Sequence, residues 1–137
     1  MSQESVEIVR AVIDAFNRGD WEAGLDYAAP DFEFDLSRAV GPQHGVFKLD
    51  QMRRFLDEFA EPWEEVRAEV DEFIEVGEHV VTPLTNYHRG RQGIEVQVRP
   101  CHVWTLREGK VARVCFYRKR HEALEAAGLH GARLGRR

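Results

Sequence analysis

The sequence predicts an α+β domain in which one strongly curved antiparallel sheet wraps around N-terminal helices. Apolar residues recur at helical spacing in three segments before Pro62, whereas after Val66 they alternate with polar residues in long runs separated by glycine-containing turns. A short helical pattern follows near the end of the chain. Helices followed by a meander of long strands are typical of an α+β domain whose sheet encloses a cone-shaped space.

Length and charge indicate one domain without a surface for nucleic acid. The chain has 137 residues, 43% of them hydrophobic, and a formal net charge of −5. We expect the domain to cover residues 1–129 and residues 130–137 to form a basic, disordered tail. No basic segment followed by an apolar run opens the chain, and nowhere do about eighteen apolar residues occur together. These features predict a cytoplasmic protein without membrane partners.

The two cysteines and the histidines show no metal-binding pattern. Cys101 and Cys115 are predicted to be buried thiols, because two unpatterned cysteines in a reducing compartment usually behave as small hydrophobic residues. Neither a CxxC nor an HExxH spacing is present, so we expect no metal site and no cofactor.

Three helices are predicted in the first half of the chain. The first covers Glu4–Arg18 and carries an apolar stripe. The second has Asp20 as its N-cap and ends before Pro30. The third covers Leu49–Phe59, after an irregular loop at Arg38–Lys48.

Strands are predicted where apolar and polar residues alternate. A short strand at Phe32–Leu36 separates the second helix from the loop. A last short helix at His121–Ala127 ends at Gly128. Between them we expect four longer strands, at Val66–Val76, His79–Arg89, Ile94–Leu106 and Val111–Lys119.

The strand Ile94–Leu106 is the most informative of these segments. Its even-numbered residues share one face, and that face is apolar except for His102. If the alternation continues through Pro100, the imidazole lies on the buried side, where it needs a partner or a ligand.

Four motifs carry a resemblance to a known superfamily: N17-R-G-D20, A29-P-D-F-E-F-D35, H102-V-W-T-L-R-E-G-K-V111 and E122-A-L-E-A-A-G-L129. With the order of elements, they resemble the SnoaL-like group of the nuclear-transport-factor-2-like superfamily, related to polyketide cyclases and ketosteroid isomerases. The resemblance implies a cystatin-like α+β roll with a cone-shaped apolar pocket and a homodimer formed through the outer face of the sheet. It also implies these pocket-lining positions: Ile13, Phe16, Phe34, Leu36, Phe55, Phe59, His102 and Trp104.

The catalytic residues of ketosteroid isomerases do not carry over. In those enzymes a tyrosine on the first helix and an aspartic acid on the long strand polarise the substrate carbonyl, and another aspartate moves the proton. The matching positions here hold Ile13, His102 and Leu36. Asp35 is one residue away from the last of these. Lys119 stands where the family often has an aspartate before the final helix.

Two residues are candidates for catalysis. His102 in an apolar pocket could titrate near neutrality and act as a general acid or base, a role worth about 10²–10⁴ in rate; the alternative is a neutral structural histidine. A bulge in the first strand would turn Asp35 inward to orient His102, whereas without a bulge Asp35 is an exposed strand residue.

Four further residues could touch a ligand. His44 lies in the loop over the expected pocket mouth and either contacts a ligand or is solvated. Tyr87 and Trp63 are wall residues or packing residues. Arg118 faces pocket or solvent according to the register of the last hairpin, and an inward Arg118 would favour an anionic ligand.

These observations favour a cofactor-free isomerase, cyclase or hydratase that acts on an apolar carbonyl compound by general acid/base catalysis. The alternative is a non-catalytic ligand-binding or dimerisation module whose cone is filled by aromatic side chains. Cavity volume separates the two, since ligand sites usually exceed about 300 Å³. We also expect a homodimer, because the outer sheet face, with Val81, Val103 or Val114 according to register, is too apolar to leave in water.

Overall fold

The computed structural model describes residues 2–39 and 43–128, and its elements follow the predicted order. The helices are α1 (Ser2–Arg18), α2 (Trp21–Leu25), α3 (Leu49–Ala60) and α4 (Arg120–Ala126). The strands are β1 (Ala28–Asp35), β2 (Val46–Lys48), β3 (Trp63–Val70), β4 (Ile74–Val76), β5 (His79–Gly90), β6 (Glu95–Val98), β7 (Cys101–Arg107) and β8 (Lys110–Tyr117). None of these described helices is long and apolar enough to cross a membrane.

The motif N17-R-G-D20 holds the first two helices in place. The Asn17 side chain donates to the Ala68 carbonyl at 3.0 Å and accepts from the Ala68 amide at 2.8 Å, so it continues the edge of β3. Gly19 leaves α1 with a φ of +74°, which glycine adopts without steric cost. Asp20 then caps α2 by accepting a hydrogen bond from the Ala23 amide.

One strongly bent sheet forms the rest of the domain, with the strand order β2-β1-β8-β7-β5-β3 and with β4 and β6 also paired to β5. The predicted α+β class and curvature are confirmed. One detail differs, because β1 pairs with β8 in a parallel orientation. The sheet is therefore antiparallel at its other pairings and parallel where the first long strand meets the last.

Two of the predicted long strands are each divided in two. The segment after Val66 breaks between β3 and β4, and the segment starting at Ile94 breaks before Pro100. At these breaks the Asp71 amide donates to the Pro83 carbonyl and the Leu84 amide donates to the Pro100 carbonyl. Both proline nitrogens lack a hydrogen to donate, so the ladder is interrupted where the sheet bends.

The inward–outward alternation predicted for Ile94–Leu106 continues from β6 into β7 across the break at Pro100. Thr82 pairs with His102 in β7, and Asn86 pairs with Val98 in β6, so the even-numbered residues of both strands stay on the inner face of the sheet. The expected burial of the first half does not hold, however. Ile94 is 65% exposed, because β6 lies at the end of the sheet beyond the bend.

The apolar core lies on both faces of the sheet. The inner cluster packs α1 and α3 against the sheet and includes Val9, Phe55 and Val114. The outer cluster packs α4 against the sheet and includes Val81 and Val103. The predicted exposed apolar face is therefore not found at these positions, because α4 covers Val81 and Val103 and because Val114 points inward.

Candidate functional site

A cavity of about 970 Å³ lies between the helices and the inner face of the sheet. Its volume exceeds the roughly 300 Å³ at which ligand sites begin, so the aromatic side chains line the space instead of filling it. Six of the residues expected there do line it: Ile13, Phe16, Phe34, Leu36, Phe55 and Phe59. His102, Trp104, Trp63 and Arg118 line it as well.

His102 lies on β7 with its ring between two phenylalanines. The Phe34 ring meets it edge-on at 6.4 Å and the Phe116 ring at 5.8 Å, both measured between centroids. No described side chain or backbone group hydrogen-bonds to either ring nitrogen. Burial without a carboxylate partner lowers the pKa of His102 to about 4. The expected titration near neutrality is thus not found, and the imidazole is neutral at pH 7.

Trp104 lines the cavity beside His102, and a hydrogen bond fixes its position. Its indole Nε1 donates to the Thr82 hydroxyl at 2.9 Å, and Thr82 is fully buried. This bond satisfies the polar atom of the tryptophan and uses the hydroxyl that lies opposite His102 in the ladder. The Thr82 hydroxyl is therefore hydrogen-bonded to Trp104 and not to His102.

Asp35 does not line the cavity. It pairs with Cys115 in the ladder and lies on the outer face of β1, while its neighbour Phe34 faces inward. A register irregularity does occur in β1, but it lies between Ala28 and Glu33 and leaves Asp35 pointing outward.

Asp35 is not exposed either, since only 6% of it is accessible. Its carboxylate accepts hydrogen bonds from the Ser37 hydroxyl at 2.5 Å, the Ser37 amide at 2.9 Å and the Arg113 guanidinium at 2.6 Å. Burial alone would raise the pKa of Asp35, but these bonds and the charges of Arg113 and Arg38 outweigh it, so the pKa lies below its usual value. The arrangement is a structural ion pair and not a partner for His102.

Two other candidates also lie outside the cavity. His44 is exposed and is not among the residues that line the space. Tyr87 is an odd-numbered residue of β5 and therefore faces outward, where the Arg67 guanidinium lies 4.4 Å from its ring centroid. The loop motif Gly41-Pro42 falls outside the described residues.

The even-numbered face of β5 supplies polar groups that the sequence analysis did not single out. Asn86 and His88 line the cavity. The His88 ring contacts Phe59 and Trp63, with centroids 5.3 and 4.8 Å away, and its Nε2 is buried without a hydrogen-bond partner. Burial lowers the pKa of His88. Applying to β5 the alternation that was applied to Ile94–Leu106 would have found both residues.

The cavity therefore combines apolar walls with two neutral imidazoles, and the ring nitrogens of His102 have no hydrogen-bond partner among the described residues. The described residues contain no group of three or more histidine, cysteine, aspartate or glutamate side chains that could hold a metal ion. Such a site can hydrogen-bond a carbonyl or hydroxyl group of a largely apolar molecule.

Comparison with known proteins identifies the family. The SnoaL-like domain family matches residues 9–114, which is more than half of the chain. The chain belongs to the SnoaL-like family. The comparison with curated proteins gave no match.

Solved structures agree with this SnoaL-like assignment. TerC, co-crystallized with polyporic acid, is 26% identical with a TM-score of 0.76, over 89% of this chain and 98% of that chain. A proposed polyketide cyclase from Xanthomonas campestris is 22% identical with a TM-score of 0.67, over 92% and 98% of the two chains. An NTF2-like protein from Burkholderia pseudomallei is 24% identical with a TM-score of 0.69, over 91% and 98%. The predicted SnoaL-like membership is confirmed by the family match, and the NTF2-like structure shares the fold.

Proposed function

We propose that this SnoaL-like protein binds a small, mostly apolar carbonyl compound and that His102 moves a proton on it, as a cofactor-free isomerase, cyclase or hydratase does. One observation carries the proposal. The cavity of about 970 Å³ is largely apolar, and the ring nitrogens of His102 in its wall have no hydrogen-bond partner among the described residues. His102 lines the cavity, so a carbonyl or hydroxyl group of a ligand would supply the missing hydrogen-bond partner.

The low pKa of His102 shapes the chemistry. Burial in the apolar cavity disfavours the imidazolium and so lowers the pKa of His102. When a C–H bond next to a ligand carbonyl breaks and its proton moves to His102, the ligand becomes an enolate beside the new imidazolium. The two opposite charges then stabilise each other in an apolar surrounding. Return of the proton to another atom of the ligand completes an isomerisation or prepares a ring closure.

The relatives support a small-molecule ligand. TerC, 26% identical over most of both chains, was co-crystallized with polyporic acid. The lower-identity relatives support the fold alone, so the choice among isomerase, cyclase and hydratase rests on the residues of this chain.

Hydrogen exchange on a ketone tests the proposal without knowledge of the natural substrate. Prodan is a fluorescent naphthalene ketone with hydrogens on the carbon next to its carbonyl, and its binding can be followed by emission. In D₂O the wild-type protein should speed the replacement of these hydrogens by deuterium, measured by mass spectrometry. His102→Gln should bind prodan within a few fold of wild type yet lose about 10²-fold or more of the exchange rate, since an amide does not titrate.

His44→Gln is the matched control, because it removes an exposed histidine that does not line the cavity. It should exchange at the wild-type rate. Equal exchange by wild type and His102→Gln would refute the role of His102.

Binding without catalysis is the second candidate. The observation that favours it is the pKa of about 4 for His102 together with the position of Asp35 on the opposite face of β1. A neutral imidazole without a carboxylate partner serves well as a hydrogen-bonding group for a carried ligand. Tight prodan binding with no acceleration of exchange would decide for this function.

A further inference from the structure

Two arginines stand at one end of the cavity. Arg99 and Arg118 both line it, and both are exposed to solvent. The ladder pairs Cys101 with Tyr117, so the register carried one residue further sets Pro100 beside Arg118. Arg99, which precedes Pro100, therefore belongs to the same end of the β7–β8 hairpin.

These two arginines differ from the rest of the described chain. Every other arginine within residues 2–39 and 43–128 contacts a carboxylate, a carbonyl oxygen, a thiol or an aromatic ring. Arg99 and Arg118 have no ion-pair, hydrogen-bond or ring partner among the described residues. Acidic residues outnumber basic ones, 24 to 19. The lack of partners is thus specific to this end of the cavity and not a consequence of too few carboxylates.

The carboxylates that line the cavity do not neutralise this end. Asp20 lies near Arg18 and caps α2 through the Ala23 amide. Glu58 is paired with Arg54 at 2.9 Å. Each of these two carboxylates therefore already has an arginine partner, on α1 for Asp20 and on α3 for Glu58.

We propose that Arg99 and Arg118 form an anion-binding site at the cavity mouth and that the ligand is an apolar acid, with its anionic group at the mouth and its apolar body inside. A guanidinium binds a carboxylate or sulfonate through paired N–H donors, and an exposed position keeps the desolvation cost of the ion pair small. The apolar walls and the two neutral imidazoles of the cavity offer no cation, so Arg99 and Arg118 are the groups that favour an anion. This inference rests on the proposed function and adds the ligand class and its orientation.

Two probes that differ by one charge test the inference. Anilinonaphthalene sulfonate carries an anionic group, and N-phenylnaphthylamine has the same aromatic framework without it. Both become fluorescent in apolar sites, so each Kd can be measured by titration of the full chain. In the double variant Arg99→Gln/Arg118→Gln, the Kd of the sulfonate should rise about tenfold. The Kd of the neutral probe should stay within about twofold.

Lys119→Gln is the matched control. It removes one positive charge next to Arg118, at an exposed position that does not line the cavity. It should leave both Kd values within about twofold of wild type. In wild type, added salt should weaken binding of the sulfonate probe and leave binding of the neutral probe unchanged. This measurement needs no variant.

The outcomes separate this inference from the proposed function. An unchanged sulfonate Kd in the double variant, or an equal rise with Lys119→Gln, would overturn the anion site while neutral-probe binding kept the cavity function intact. If wild type bound the neutral probe but not the sulfonate, the anion site would again be refuted alone. Failure of wild type to bind either probe would overturn both.

Discussion

Asp35 is a structural residue of the outer face, held by hydrogen bonds from Ser37 and from Arg113 on the neighbouring strand β8. Asp35→Asn should destabilise the fold by about 2 kcal/mol, because it weakens several hydrogen bonds to a buried charge and removes the nearer of the two carboxylates that pair with Arg113. For a chain of this size that is a drop in Tm of about 6 °C. Probe binding should be unchanged, because Asp35 does not line the cavity.

Asp31→Asn is the control for this variant. Asp31 also accepts from an arginine, Arg107, at 2.8 Å, but it is exposed on the surface. Its loss should cost less than about 1 kcal/mol. Equal losses for the two variants in urea unfolding would show that burial of Asp35 is energetically unimportant.

His102 should make stability depend on pH. Its pKa is about 4 in the folded protein and about 6.5 when unfolded, so between these values the unfolded chain binds a proton that the folded chain does not. The stability from the neutral imidazole is therefore complete above pH 6.5 and is lost as the pH falls towards 4. At pH 5 the loss is about 2 kcal/mol relative to pH 7.

Urea unfolding at pH 7 and pH 5 measures this effect. His102→Gln should show a clearly smaller loss than wild type, with a remainder from His88, whose pKa is also lowered. His121→Gln, at an exposed position of α4, is the control and should keep the wild-type difference. The same pH dependence in wild type and His102→Gln would contradict the burial of a neutral His102.

The face on which a residue lies could be predicted from sequence where the alternation of one strand decides it. His102 and Trp104 face the cavity because the period of two continues through Pro100. Asp35 was misplaced because its partner Arg113 is 78 residues away and its burial depends on that long-range contact. Tyr87 faces outward because it is an odd-numbered residue of β5, whose even-numbered face lines the cavity.

At the scale of elements, α3 builds one wall of the cavity from an aromatic row. Phe55 is buried against Phe34 and Phe47, with centroids 5.5 and 4.7 Å away, whereas Phe59 is partly open to the cavity and lies near His88. Phe55→Ala should cost about 3–5 kcal/mol in urea unfolding. Phe59→Ala should cost less than half of that but weaken prodan binding more than any loss of stability explains. Equal effects of the two changes on stability and binding would contradict this division of roles.

The order of elements was predictable because helical and strand periods differ clearly along the chain. The breaks before β4 and before β7 could not be predicted. They depend on how the strands pair around Pro83 and Pro100, which the sequence of one strand does not show. The short strand β2 was predicted as loop. The sequence of Val46–Lys48 shows no strand pattern of its own, and its strand geometry comes from pairing with β1.

At the scale of the whole molecule, the homodimer stays a prediction. Two of the residues predicted to form its interface, Val81 and Val103, are already buried by the chain's own helix α4. The expectation of an interface on the outer sheet face therefore rests on the family resemblance of the sequence alone. Light scattering at micromolar concentration should give about twice 15.8 kDa. A mass of 15.8 kDa at every concentration would contradict it.

We expect the cavity to bind an apolar carbonyl compound in hydrogen-bonding contact with His102. Nuclear magnetic resonance of protein labelled with ¹⁵N at its histidine rings measures this contact directly, with His102 assigned by the signals that disappear in His102→Gln. Titration with prodan should shift a ring nitrogen of His102 as the hydrogen bond forms, while His44 and His121, both exposed and outside the cavity, keep their positions. Saturation with prodan, seen by fluorescence, without any shift of the His102 nitrogens would contradict the account.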